Sequence, residues 1–247
     1  MRPYLIPFLI AVMFAAQTFA QNEKVTIFLA GDSTMSVKLP EKRPETGWGE
    51  MFSQHFIDCQ IKIDNRAQNG RSTKTFISEG RWQAMIDSLE KGHYVFIQFG
   101  HNDASKDKGE RYTPPEDFRK NLIKFVAEVR AKKAFPVLLT SVMRRRFDAE
   151  GKFYDTHGEY PDIVRNVSAD QKVPLIDLHR SSEALIKKYG VENSRKLFLQ
   201  LKAGENPNYP NGVEDNTHFS PLGAEEMAKL VVQEIKENKI ALRKYLK

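Results

Sequence analysis

An α/β fold, with a parallel sheet covered by helices on both faces, is what the sequence predicts, and three observations predict it. Short runs rich in β-branched and apolar residues recur along the chain, helical apolar periods lie between them, and no internal repeat or long linker divides the 247 residues. Strand–helix alternation of this kind leads through right-handed crossovers to a parallel sheet. Its chemistry then belongs beyond the carboxyl ends of the strands.

The amino terminus stands apart from that pattern. Arg2 is the only charge in the first 20 residues, and residues 5–16 are an almost unbroken apolar run. The run is short for a membrane-spanning helix. Small residues at Thr18 and Ala20, followed by polar Gln21, Asn22 and Glu23, complete the pattern of a cleaved secretory signal. Residues 1–20 are therefore expected to be a signal peptide and residues 21–247 a single domain, exported to the periplasm or beyond.

Five strands are expected in order. Residues 25–30 read as a buried first strand, 61–63 as a second, 94–99 as a third, 136–140 as a fourth and 173–177 as a short fifth. Pro174 lacks the N–H a central strand needs, so the fifth is expected at an edge. Helical periods occupy residues 47–56, 76–89, 115–132, 160–169, 181–189 and 221–240. The clearest aligns Phe118, Leu122, Phe125, Val126 and Val129 on one face. Ser220 and Pro221 supply an N-cap and a first-turn proline for the last helix.

Composition narrows the functional classes. The net charge of +6 favours anionic partners by steering, but no nucleic-acid-binding motif accompanies it, and no later segment is apolar enough to enter a bilayer. Cys59 is the sole cysteine, which rules out an internal disulfide. With no Gly-rich turn or nearby His–Asp pair, it is expected to pack rather than react.

Four loops hold residue types that carry chemistry. The first strand runs into Gly31-Asp32-Ser33-Thr34, where a serine would stand at the top of the sheet. The second is followed by Asn69-Gly70-Arg71-Ser72, in which Gly70 exposes a backbone N–H without a side chain in the way. The third ends in Gly100-His101-Asn102-Asp103, and the Asn102 amide is a neutral donor suited to an oxyanion. The fourth loop, Asp215-Asn216-Thr217-His218, separates a carboxylate and an imidazole by three positions. One helical turn would put both on the same side. The carboxylate would then hold the Nδ1–H and leave Nε2 to take a serine proton.

Each loop has a plainer reading as turn chemistry or helix capping. An Asp-x-x-His pair also ligates metals, although no other His or Cys falls at a supporting spacing. Coincidence of all four at one end of a sheet favours catalysis. No Gly-x-Ser-x-Gly elbow is present, which argues against the α/β-hydrolase fold.

The four blocks, in this order, resemble those of the SGNH or GDSL-type hydrolases. Gly31-Asp32-Ser33-Thr34, Gly70-Arg71-Ser72, Gly100-His101-Asn102-Asp103 and Asp215-Asn216-Thr217-His218 are similar to the rhamnogalacturonan acetylesterases within that superfamily, as are Gly47-Trp48-Gly49 and His157-Gly158-Glu159-Tyr160. The resemblance implies a flavodoxin-like three-layer α/β/α sandwich on a five-stranded parallel sheet. It implies a catalytic triad of Ser33, Asp215 and His218, an oxyanion hole of Ser33, Gly70 and Asn102, and neither metal nor cofactor. An acetylated acidic polysaccharide is the implied substrate; its carboxylates suit exposed cations and its rings suit aromatic faces, so Arg71, Arg144 and Tyr160 are expected contacts to it. Arg81, Arg145, Arg146 and Tyr154 are further candidates, and Trp48 is expected to pack. Another acyl ester, such as acetyl-xylan, and a non-catalytic carbohydrate-binding role remain as alternatives.

Overall fold

The computed structural model describes residues 24–247; the expected signal peptide lies outside them. Five parallel strands, β1 (Val25–Gly31), β2 (Ile61–Asn65), β3 (Tyr94–Gln98), β4 (Phe135–Leu139) and β5 (Leu175–Ile176), form one sheet in the order β2-β1-β3-β4-β5. The flavodoxin-like order and the edge position of β5 agree with the sequence reading. Alternation along β1 explains how the sheet is buried on both sides. Ile27 and Leu29 enter one core with Trp48, Phe52, Met227 and Val231, while Phe28 and Ala30 enter the other with Trp82, Phe125 and Val164. Burial of both faces requires the near-continuous apolar runs from which the strands were read.

Among the described residues seven α-helices flank the sheet: α1 (Trp48–Met51), α2 (Thr73–Ser78), α3 (Arg81–Asp87), α4 (Pro115–Ala131), α5 (Tyr160–Gln171), α6 (Leu178–Asn193) and α7 (Pro221–Glu237). Ser220 caps α7 as its sequence requires, its Oγ accepting from the Gly223 N–H at 3.1 Å. The span expected as one helix over 76–89 is instead α2 and α3, broken at Gly80, whose φ of 70° no helix accommodates. The expected helix 47–56 is one α-turn followed by a 3₁₀ turn.

Two further corrections concern residues outside the sheet. A hairpin, β6 (Phe198–Leu201) with β7 (Val213–Phe219), stands apart from the sheet where only loop was expected. Cys59 is exposed in the turn before β2 and does not pack.

Candidate active site

The loops after β1, β2 and β3 and the hairpin strand β7 meet at the carboxyl end of the sheet around a pocket of about 340 Å³. Its lining includes Ser33, Gly70, His101, Asn102, Arg144, Thr217 and His218. The His218 Nε2 lies 2.9 Å from the Ser33 Oγ, and its Nδ1 lies 2.6 Å from the Asp215 Oδ2. Residues 33, 215 and 218 thus form one hydrogen-bonded line.

A helical turn does not bring Asp215 and His218 together. They sit in β7, at a bulge: Gln200 pairs with Glu214 and Phe198 with Phe219, so four residues of β7 face one of β6. The surplus backbone folds over Asp215, whose Oδ1 accepts from the N–H groups of Thr217 at 2.7 Å and His218 at 2.9 Å. Arg145 and Gln200 clamp the bulge from outside through the Asn216 side chain, at 3.0 and 3.1 Å. A bulge re-aims a side chain that a regular strand would send elsewhere. Burial raises the Asp215 carboxyl, but the His218 hydrogen bond and charge and the two N–H groups outweigh it, holding the group at about 2. It is ionised wherever the imidazole needs it.

The loop bearing Ser33 is a tight turn with no helix following it; the Met35 and Ser36 N–H groups both return to the Asp32 carbonyl. Buried Asp32 accepts from the Thr34 N–H at 2.9 Å and hydroxyl at 2.8 Å. Gln98 donates to that hydroxyl at 2.7 Å and accepts from the Trp48 indole at 2.8 Å, so Trp48 packs, as expected, and also braces the loop. Below lies Lys38, 3% exposed. Its ammonium donates to the Ser33 carbonyl, to the Asn69 Oδ1 at 2.9 Å and to the Ser36 hydroxyl at 3.2 Å, and pairs with Glu45 at 2.8 Å. One buried charge therefore joins the loop bearing Ser33 to the loop bearing Gly70.

Ser33, Gly70 and Asn102 all line the pocket. Among the described residues, neither the Ser33 nor the Gly70 N–H has an acceptor within the protein. Gly70 has φ of 75°, a backbone conformation that favours glycine, and the Arg111 guanidinium lies 3.0 Å from where a Cβ would stand. The Asn102 Nδ2 spends one hydrogen on the Arg71 carbonyl at 3.0 Å, which fixes the amide and leaves the other hydrogen for the pocket. Behind it, buried Asp103 anchors the start of α2, accepting from the Thr73 N–H at 2.9 Å and hydroxyl at 2.6 Å. Burial pushes the Asp103 carboxyl up to about 7, against those hydrogen bonds.

The expected substrate contacts divide. Arg144 lines the pocket, held by the His101 carbonyl at 3.2 Å and the Thr156 hydroxyl at 3.2 Å. Arg71 faces the neighbouring depression and is engaged by Glu79 at 3.0 Å. Tyr160 does not reach the pocket: it is 6% exposed, its hydroxyl donates to the Thr113 carbonyl at 2.7 Å and its ring packs on Phe118. The aromatic and apolar neighbours of the second core claim it. Arg145 is buried at the β7 bulge and Arg81 pairs with Glu79.

Sequence reading missed a trio beside the pocket wall. Asp155 receives His157 Nδ1 at 2.6 Å and His179 Nε2 at 3.1 Å, and the candidate ligand atoms of the three lie within 4.8 Å of one another. Such a set can hold a metal by distance alone. However, Arg165 approaches the His179 Nδ1 at 3.3 Å. A guanidinium only donates, so that nitrogen is the acceptor and Nε2 carries the proton given to Asp155. The trio is a hydrogen-bonded clamp on the segment after β4. Its signal in sequence was the Asp-x-His spacing, but His179 comes from a different element.

Comparison with known proteins places this geometry. The model of the GDSL-like Lipase/Acylhydrolase family matches residues 29–225. A rhamnogalacturonan acetylesterase of Bacillus subtilis, RhgT, is 44% identical over 91% of this chain and 95% of its own. A second protein of that organism, the probable rhamnogalacturonan acetylesterase YesY, is 40% identical over 85% of this chain and 92% of its own. Among solved structures, B. subtilis YxiM superposes with a TM-score of 0.75 at 25% identity, covering 89% of this chain and 58% of that one. An acetyl-xylooligosaccharide esterase from Geobacillus shares the fold with a TM-score of 0.62 at 16% identity, covering 87% of this chain and 96% of that one.

Proposed function

The chain belongs to the GDSL-like lipase/acylhydrolase family, and we propose that it is a serine esterase that removes O-acetyl groups from an acidic, pectic rhamnogalacturonan. The Ser33–His218–Asp215 line, at 2.9 and 2.6 Å in an open pocket, carries the reading. His218 Nε2 takes the Ser33 proton as Oγ attacks the acetyl carbonyl. Negative charge develops on the carbonyl oxygen, and the Ser33 and Gly70 N–H groups and the Asn102 amide would donate to it. His218 then protonates the departing sugar oxygen. Water, deprotonated by the same imidazole, attacks the acyl-serine, and acetate leaves as the proton returns to Ser33.

The polymer assignment is drawn from the two B. subtilis relatives with acetylesterase names. A signal peptide at residues 1–20 would deliver the enzyme to such a polymer outside the cytoplasm, and no helix among the described residues is long and apolar enough to cross a membrane. Acetate release should be faster from acetylated rhamnogalacturonan than from acetyl-xylan. A preference for xylan would overturn the pectic substrate and leave the serine chemistry standing.

A further inference from the structure

The pocket is bordered by more positive charge than the acyl-transfer step uses. Lys42, Lys108, Arg111 and Arg144 line it, against one carboxylate, Glu45, which is already paired with buried Lys38 at 2.8 Å. Arg144 is engaged by His101 and Thr156. The side chains of Lys42, Lys108 and Arg111 are exposed, and none has a hydrogen-bond or ion-pair partner among the described residues. Unpaired surface cations are ordinary when scattered. Here two of them share one place.

Lys108 and Arg111 sit on the 3₁₀ segment Lys106–Arg111 beyond β3, and with Gly70 they line both the pocket and a second depression of about 320 Å³. They therefore form the saddle between two hollows of similar size. Gly70, at the foot of the saddle, bears one of the oxyanion amides, and the Arg111 guanidinium lies against it. The second hollow is closer to charge balance: Glu79 faces Arg71 and Glu110 lies beside Arg111. The surplus is concentrated at the crossing point.

We infer that Arg111 and Lys108 form a carboxylate subsite, which takes a uronate of the bound polymer as the chain passes from the first hollow to the second. This rests on the acidic-polysaccharide reading above and assigns that specificity to residues no motif marks. Arg111 offers a planar fork suited to bidentate carboxylate binding, and Lys108 adds a mobile point charge. A uronate held here would fix the register of the chain, and with it which acetyl group reaches Ser33.

The test compares acetate release from acetylated rhamnogalacturonan oligosaccharides with release from the same oligosaccharides after their carboxyl groups are reduced to alcohols. The readout is the ratio of kcat/KM on the two, which cancels any general effect on Ser33 chemistry. Wild-type enzyme should favour the native oligosaccharides by about tenfold or more, as expected for a charge-assisted pair. Arg111→Gln/Lys108→Gln should bring the ratio close to one, and Arg111→Lys should keep part of it. A wild-type ratio near one, or a ratio unchanged in the double variant, overturns the subsite and leaves the esterase assignment intact. Failure of wild-type enzyme to release acetate from either oligosaccharide overturns the substrate reading itself. Lys108→Gln alone, at an exposed position, serves if the double variant does not fold.

Discussion

Beneath the Ser33 hydroxyl, the groups that hold the loop are buried and bonded to one another, from Asp32 through Thr34 and Gln98 to Trp48, with Lys38 joining the next loop. Along the rim of the same pocket, Lys42, Lys108 and Arg111 are exposed and bonded to nothing described. The difference separates two tasks. Donors that meet a developing oxyanion act best when their positions are set before the reaction, because reorganisation then costs nothing. Cations that meet a polymer must remain free to find it. Damage to the floor should therefore appear in kcat, and damage to the rim in discrimination between substrates.

The strongest attempt to break that division is Ser33→Ala. It removes the atom proposed to form the acyl bond and leaves the network around it in place. Hydrolysis of p-nitrophenyl acetate should fall by roughly 10⁴- to 10⁶-fold, with the circular-dichroism spectrum and unfolding midpoint unchanged. Near-normal turnover would reject Ser33 as nucleophile. Asn102→Ala comes next, with kcat reduced about 10²- to 10³-fold and KM for a small ester nearly constant, since the amide is proposed to act on charge that only the transition state carries. A rise in KM with kcat unmoved would place Asn102 in ground-state binding instead.

Lys38→Met tests the floor without touching the reacting atoms. The ammonium joins the Ser33 carbonyl to the Asn69 side chain, so its loss should let the two oxyanion amides drift apart and lower kcat by about 10- to 100-fold. The variant also leaves Glu45 buried and unpaired, costing about 3–5 kcal/mol of stability. Lys38→Met/Glu45→Gln separates the two effects: stability should return, measured by urea unfolding, while kcat stays low. Recovery of both would mean that Lys38 only neutralises Glu45.

The contrast between floor and rim also marks what the sequence could convey. The five strands were legible because burial on both faces demands apolar runs, as in Ile27 to Ala30. Ser33, Gly70 and Asn102 were legible as residue types because each follows a strand that pattern alone can place, and His218 because it precedes the capped start of α7. The β6–β7 hairpin was not, since Glu214 to Thr217 are polar and irregular, and the bulge that aims His218 depends on pairing with a distant strand. Lys38 carries no local signal, being a lysine in an irregular segment whose burial is decided by Glu45 and Asn69. Arg71 and Tyr160 were adjacent in sequence to the right motifs, yet Glu79 and the Thr113 carbonyl hold them outside the pocket. Arg111 belongs to no motif, and it reaches Gly70 only through the fold.

The smallest effect concerns the wall between floor and rim, where Asp103 is buried with its carboxyl raised to about 7. Its ordinary value is 3.8, so between these limits the folded protein keeps a proton that the unfolded chain has released. Stability from this group is therefore unaffected below about pH 4 and declines as pH rises toward 7. Asp103→Asn preserves an acceptor for the Thr73 N–H and hydroxyl and removes the titration. Measured by urea unfolding, its stability relative to wild type should improve from pH 5 to pH 8, by on the order of 1–2 kcal/mol. Taking the difference between the two proteins cancels the other titrating groups, Asp32 among them. An equal difference at both pH values would mean that Asp103 is ionised throughout, with the Thr73 hydrogen bonds sufficient to hold a charge in the wall of the site.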